Sequence, residues 1–143
     1  MRPCGRGEWE KFRRYHYLNG ELNKTSRCYG VYDGNTIIAF MAVIHNPHPI
    51  NPKIKRVHRL VVLPDYQGIG IGKKFLNIVA EKYRSDGWDF SITSSAKNLI
   101  CALAKDKNWN CVRYSKSKPT KSGAQSFKKT MRYTVKTATF FYQ

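Results

Sequence analysis

Acidic side chains are scarce in this sequence. Nine Asp and Glu stand against 26 Lys and Arg in 143 residues, which leaves a formal net charge of +17. The imbalance is strongest towards the C-terminus, where Lys105, Lys107, Arg113, Lys116, Lys118, Lys121, Lys128, Lys129, Arg132 and Lys136 are set against the single Asp106. A field of this sign gathers polyanions and makes their binding steeply salt-dependent, so a nucleic-acid partner is expected; a solubilising basic surface is the alternative. Cysteines are few and dispersed. Cys4, Cys28, Cys101 and Cys111 form no C-x-x-C pair and have no His at ligand spacing, which argues against a zinc site or a disulfide framework. They read as buried or incidental thiols of a reducing compartment. No apolar run approaches the roughly 20 residues of a membrane span, and the stretch Met1 to Arg14 is charged rather than signal-like. A soluble, cytoplasmic protein without a metal or membrane partner is expected, its oligomeric state left open. No internal repeat is visible, and 143 residues at 41% hydrophobic suit one domain over 1–143 with a core of its own.

What the sequence does have is a stretch around which the rest can be placed, from Arg59 to Lys74. An apolar, β-branched run from Leu60 to Leu63 stops at Pro64, crosses a glycine-rich turn and enters a helical pattern near Gly70. Gly68, Gly70 and Gly72 let the backbone approach a ligand closely, and a helix start aims N–H groups at whatever sits there. A phosphate fits that description. A Walker A loop is excluded, because Gly72-Lys73 is followed by Lys74 and the glycines are too close together. A G-x-G-x-x-G dinucleotide fingerprint is excluded by the missing x-x step. A plain strand-helix turn with no ligand is the alternative.

Along the chain, Trp9, Phe12 and His16 recur near helical spacing within Gly7 to Tyr17 and predict an amphipathic helix. Glu21 to Ser26 can hold a helical turn. Arg27 to Tyr32 and Thr36 to Ile44 predict a hairpin about Asp33-Gly34-Asn35, and a proline-broken loop follows. Lys55 to Leu63 is the central strand, with Arg56, His58, Leu60 and Val62 on one face and Val57, Arg59, Val61 and Leu63 on the other. A helix from about Gly70 to Arg84 carries Ile71, Phe75, Ile78 and Val79 inward. Trp88 to Ser94 is a strand whose second face, Asp89, Ser91 and Thr93, is polar and borders a wet cleft. Ser95 caps a helix to about Lys107 with Leu99, Ile100, Leu103 and Ala104 inward. Trp109 to Tyr114 is a strand, Ser115 to Gly123 a mobile loop, and Met131 to Tyr142 the last strand.

The segment Gln67-x-x-Gly70-x-Gly72, preceded by Val62-Leu63-Pro64, resembles the pyrophosphate loop and the V-x-P strand end of the GNAT acyltransferases. That resemblance implies a single-domain α/β (α+β) fold: a mixed, mostly antiparallel twisted sheet of about six to seven strands flanked by three to four helices. It implies an acyl-CoA co-substrate, by default acetyl-CoA, and an N-acyltransferase passing the acyl group directly to an amine. Backbone groups of Val61, Val62 and Leu63 would then bond the pantetheine as an extra strand, with one amide polarising the thioester carbonyl. The N–H groups of Gln67, Gly68, Ile69, Gly70, Ile71 and Gly72 would hold the pyrophosphate. Lys73 would assist, unless it and Lys74 are merely solvated. In many members the helix after the fifth strand carries an Asn and, seven residues on, an acidic Tyr; Asn98 matches the first, while Lys105 stands at the second.

The proton chemistry must therefore come from elsewhere. His58 on the central strand has a type suited to a base near neutrality, and His16, Tyr17 and Asp89 are the further candidates, each with a structural alternative. Three acceptor readings stay open. One is a nucleic acid, motivated by the charge and by Trp109, Tyr114 and Tyr133 among basic residues; His16-Tyr17 with this charge resembles the Mom-type phage DNA-modification branch. The second is a protein lysine or small amine. The third is a non-catalytic binding module for acyl-CoA or nucleic acid.

Overall fold

The densest apolar stretch of the chain, Thr36 to His45, sets the frame. The computed structural model describes residues 1–16, 20–116 and 136–143. They form two compact units, 1–92 with Tyr142, and 93–141 with Gln143. Seven strands, β1 (Arg2–Pro3), β2 (Arg27–Asp33), β3 (Thr36–His45), β4 (Ile54–Val62), β5 (Asp89–Ser94), β6 (Trp109–Lys116) and β7 (Lys136–Tyr142), are ordered β1-β2-β3-β4-β5-β7-β6. The α-helices among the described residues are α1 (Trp9–Phe12), α2 (Ile71–Ser85) and α3 (Lys97–Ala104). The first four strands pair antiparallel and β4 pairs parallel with β5. This is the mixed α+β sheet that the sequence led us to expect, with the two-residue β1 as an unforeseen edge.

In the first unit the hairpin between β2 and β3 closes at Asp33↔Thr36, and Gly34, at φ +57°, supplies the left-handed residue that a two-residue turn needs. From Ile37 to Val43, β3 is buried on both faces, as befits a central strand. One face is covered by α1: Trp9 and Phe12 pack on Phe40, with ring centroids 5.6 Å apart in each case, beside Cys28, Ala42 and Val61. The other receives α2. Tyr29, in register with Met41, reaches Tyr83 through a buried 2.9 Å hydroxyl contact, and Tyr83 stacks on Phe90. The amphipathic stripe of α2 is Phe75, Leu76, Val79, Ala80 and Tyr83; Ile78, expected inward, is 43% exposed because it lies just outside that arc. The expected first helix is shorter than its periodicity suggests, a four-residue α1 between two 3-10 turns.

Strict alternation along β4 does not hold. Arg59 pairs with Ala42 but Val57 pairs with Val43, so His58 is an extra residue, a β-bulge. Val57 therefore lies on the face opposite to Arg59 and Val61, and Arg56, opposite Ile44, joins Arg59 on the α1 face. The expected polar face of β5 is also corrected, since Ser91 is buried.

In the second unit α3 runs only from Lys97 to Ala104, is capped by Ala96 rather than Ser95, and buries Leu103 alone; Ala104 is exposed. Thr93 and Thr139 share a 2.9 Å hydroxyl contact between β5 and β7, and Gln143 donates its N–H to the Asn108 carbonyl. Trp109, Ala138 and Phe140 are buried. Of the cysteines, Cys28 is buried, Cys4 half-buried, and Cys101 and Cys111 exposed. Tyr17, Tyr133, the loop beyond Lys116 and the expected strand start at Met131 lie outside the described residues. No described helix is long and apolar enough to cross a membrane.

Candidate functional site

The C-terminal half of β4 and the turn after it are built from local rules. The parallel ladder to β5 runs through Ile54↔Asp89, Lys55↔Phe90 and Arg56↔Ser91, and ends there, while β4 continues to Val62 against β3. The Leu63 N–H donates to the Ile38 carbonyl at 2.9 Å, so by strand alternation the groups of Val62 face the other edge. The Val62 carbonyl accepts from Gln67 Nε2 at 2.8 Å, which folds the turn back onto the strand. Pro64 opens a single 3-10 turn through Tyr66, whose hydroxyl donates to Asp33 Oδ2 at 3.0 Å. The Gln67 N–H is spent on the Pro64 carbonyl at 3.1 Å. Of the expected donor-binding groups, then, the N–H groups of Leu63 and Gln67 are committed within the protein.

The rest of the turn is open. Gly68 and Gly70 take φ of +82° and +86°, and a Cβ at either would meet nothing within 4 Å. Gly70 is the N-cap of α2 and no side chain caps the helix. Lys74 makes the first helical bond, to the Gly70 carbonyl, so the N–H groups of Ile71, Gly72 and Lys73 precede the helical ladder. Gly72 also lets the helix approach the strand, since a Cβ there would stand 3.3 Å from Val62 Cγ2. The first turn holds Lys73 and Lys74 and no acid, the reverse of what a helix N-terminus favours. An anion between these N–H groups resolves that conflict. The residues present therefore fit a pyrophosphate.

A second cluster surrounds the bulge. Asn23 donates its N–H to His58 Nε2 at 3.4 Å, and Arg59 Nη1 lies 3.5 Å from His58 Nδ1 while donating to the His58 carbonyl at 2.9 Å. The Arg59 guanidinium lies 6.0 Å from the Trp9 ring centroid, and His16 meets Trp9 edge-on at 5.7 Å. Burial first, then the Arg59 charge, with Arg56 and His16 adding to it, push the His58 imidazole down to about 4. His58 is neutral at pH 7 and holds protons weakly.

Thus His16 and His58 are brought together, as are Val61, Val62, Leu63 and the turn from Gln67 to Lys73. Asp89 is not. It pairs with Ile54 at the opposite end of β4, about 25 Å of strand from Val62. Its two oxygens accept from Arg84 Nη1 at 2.7 Å and Asn51 Nδ2 at 2.6 Å. Asn98 is exposed in the first turn of α3, in the second unit. Arg56, Arg59, Trp9 and Asn23 join the cluster although the sequence pattern does not mark them as site residues. The signal available for the two arginines is a pair of guanidiniums inside a central strand, where charge is costly without a purpose.

Known proteins share this fold. A family model described as "Acetyltransferase (GNAT) family" matches residues 1–100. Among solved structures, the chain is similar to a ribosomal-protein-alanine N-acetyltransferase from Brucella melitensis, with a TM-score of 0.68 at 10% identity over 98% of this chain and 96% of that one. It is similar to an N-acetyltransferase from Staphylococcus aureus Mu50 (0.67, 9% identity, 99% and 96%). An acetyltransferase from Bacillus subtilis in complex with CoA gives 0.62 at 11% identity over 94% and 82%. Identities this low speak for the fold. No curated protein sequence matches the chain.

Proposed function

This chain belongs to the GNAT acetyltransferase family, and on that premise we propose that it transfers an acyl group, by default acetyl, from acyl-CoA directly to an amine. The observation that carries the reading is the uncapped start of α2 behind two positive-φ glycines, with Lys73 and Lys74 in its first turn. In this reading the N–H groups of Gly68 to Gly72 and Lys73 hold the pyrophosphate. The outward edge of β4 at Val62, rather than the N–H of Leu63, offers the strand-like contact to the pantetheine. Acyl-CoA supplies an activated thioester; the new C–N bond forms as the C–S bond breaks, and the amine proton must leave. His58 is a poor acceptor for that proton, because burial and the Arg59 charge lower its basicity to a pKa of about 4 and its Nε2 already accepts from the Asn23 N–H. It serves to position the acceptor, and His16 is the remaining titratable group of the cluster. Lys105 stands at the expected Tyr position, so the phenol acid is missing, and Asn98 is exposed.

A nucleic-acid acceptor is a second reading, favoured by the net charge of +17 and by the exposed Tyr114, with Lys136 Nζ 5.7 Å from its ring centroid. Titration of the protein with acetyl-CoA by calorimetry, followed by thiol release with protein, small-amine, DNA and tRNA acceptors, tests both. Saturable binding with turnover on some amine is expected. Failure to bind acetyl-CoA removes the first reading. Binding without turnover on any class leaves the non-catalytic module. Nucleic-acid binding that scarcely changes with salt removes the electrostatic case for the second.

A further inference from the structure

The cysteines are dispersed in sequence, yet the sheet brings two of them face to face. β1 pairs antiparallel with β2 through Arg2↔Gly30 and Pro3↔Tyr29, and the same register continued by one residue sets Cys4 opposite Cys28. The Cys4 N–H donates to the Cys28 carbonyl at 3.0 Å, which marks a hydrogen-bonded rung; Pro3, without an N–H, takes the adjacent rung that needs none. Residues on such a rung have Cα atoms about 5.5 Å apart, inside the roughly 4.4–6.8 Å that a disulfide spans. Their side chains share one face, with Cβ atoms about 4.5–5.5 Å apart, so a bond needs β1 to close by about 1 Å. An edge strand of two residues, paired with β2 alone, can move that far.

The surroundings hold this rung in place. The Arg2 guanidinium lies over the Tyr32 ring at 3.9 Å, and Arg6 Nη1 donates to the Lys24 carbonyl at 2.6 Å, so the chain on both sides of Cys4 is fastened down. Cys28 belongs to the buried cluster of Trp9, Phe12, Phe40, Ala42 and Val61, and Cys4 packs against that cluster beside Leu63. Both are free thiols. Burial first, then the neighbouring Cys28 and Glu8, push the Cys4 thiol up to about 11. Burial also raises Cys28, against the Ser26 hydroxyl and the Arg6 charge, which favour its thiolate. The pair therefore rests as two thiols at neutral pH and reacts slowly.

We propose that Cys4 and Cys28 are a redox pair, which a small-molecule disulfide oxidises to a cross-strand bond that clamps β1 and the approach to α1 onto β2. Cys4, half-buried, is the sulfur an oxidant reaches first; Cys28 lies behind it. As thiolate, Cys4 Sγ attacks one sulfur of the oxidant, whose S–S bond breaks and releases a first thiol. Cys28 Sγ then attacks the Cys4 sulfur and displaces the other half as a second thiol. Two protein thiols are oxidised, one disulfide is reduced to two thiols, and these carry away the two protons. The new bond closes a loop of about 25 residues, which restricts the unfolded chain and fastens the layer of Trp9 and Phe12 over Val61.

The test uses the full chain with Cys101→Ser and Cys111→Ser, which removes the two exposed thiols, and the unaltered chain beside it. Each is incubated with oxidised glutathione or with dithiothreitol and compared by intact mass, peptide mapping, thermal melts and amide exchange. Oxidation is expected to lower the mass by about 2 Da and to yield a peptide in which Cys4 is crosslinked to Cys28. It should raise Tm by about 5–15 °C over the reduced form and slow amide exchange through Trp9–Phe12 at least about tenfold. Dithiothreitol should reverse all of these changes. Cys4→Ser is expected to melt at the same temperature in both buffers. Glutathione adducts without the crosslink overturn the pair, and a crosslink that leaves both Tm and exchange unchanged overturns the clamp. The peptide map of the unaltered chain decides the pairing even if a serine variant fails to fold.

Discussion

Replacing Gly70 separates two roles that one residue combines, backbone geometry and access for an anion. At φ +86° an L side chain is strained, by about 1–2 kcal/mol for Ala. A Cβ meets nothing within 4 Å, so no steric cost is added. Asp tolerates this region better than Ala, so Gly70→Asp is expected to destabilise the protein no more than Gly70→Ala. Each is expected to lower Tm by about 3–6 °C for a chain of this size. Their effects on CoA must differ. A carboxylate about 5 Å from a phosphate charge, at an effective dielectric near 20, costs about 3 kcal/mol before salt screening. Allowing for screening, affinity falls by about 100-fold for Asp and only a few-fold for Ala. Thermal melts and acetyl-CoA calorimetry on the two variants measure both quantities. Equal CoA affinity in Gly70→Asp and the unaltered protein would refute the pyrophosphate assignment, whatever the melts show.

Three further outcomes are expected. His58 has its folded pKa lowered, to about 4, from an ordinary value near 6.5. Its contribution to stability is therefore fully present above about 6.5 and is lost as pH falls towards 4; urea midpoints for His58→Gln should be flatter than those of the parent across that window, and parallel curves would contradict it. Tyr29→Phe or Tyr83→Phe alone leaves a buried hydroxyl without its 2.9 Å partner and should cost about 1–2 kcal/mol, whereas the double variant should recover part of the loss, so strictly additive values in a double-mutant cycle would deny the coupling. Asp89→Asn should change stability by no more than about 1 kcal/mol, since it weakens a half-exposed ion pair to Arg84, and should leave acetyl-CoA affinity and KM for the acceptor untouched; a fall in kcat alone would restore Asp89 to the chemistry.

The parts of the fold legible in the sequence were those set by short-range rules. The hairpin about Gly34, the strand stop at Pro64 and the run of α2 follow from turn chemistry and a periodicity of 3.6, and each lies within a residue or two of its expected place. Where tertiary contacts decide, the local pattern misled. Trp9 and Phe12 bury themselves on Phe40 from a helix of only four residues, because two aromatic anchors can hold a turn that propensity would not sustain. Ser91 reads as surface by type but is buried beside the β4 ladder.

The two halves of the proposed site divide in the same way. The donor half is contiguous: Pro64, Gln67, Gly68, Gly70 and Gly72 act through their own backbone angles, and a spacing rule can find them. The cluster around His58 depends on one inserted residue. Were β4 regular through Arg56-Val57-His58-Arg59, Arg56 and Arg59 would lie on opposite faces, one towards α1 and one towards α2. A bulge in β4 is fixed by its pairing with β3, at Ala42 and Val43, and nothing in the local sequence Arg56-Val57-His58-Arg59 announces it. His58 meets the N–H of Asn23, 35 residues away in sequence, and burial followed by the Arg59 charge gives a side chain of the right type for a general base the wrong basicity. Deleting His58 would restore strict pairing with Arg56 still opposite Ile44 and Arg59 still opposite Ala42, so the two stay on one face while the imidazole is lost. Its effect on acceptor turnover should therefore resemble that of His58→Gln, and a much larger effect would show that the bulge itself shapes the cluster.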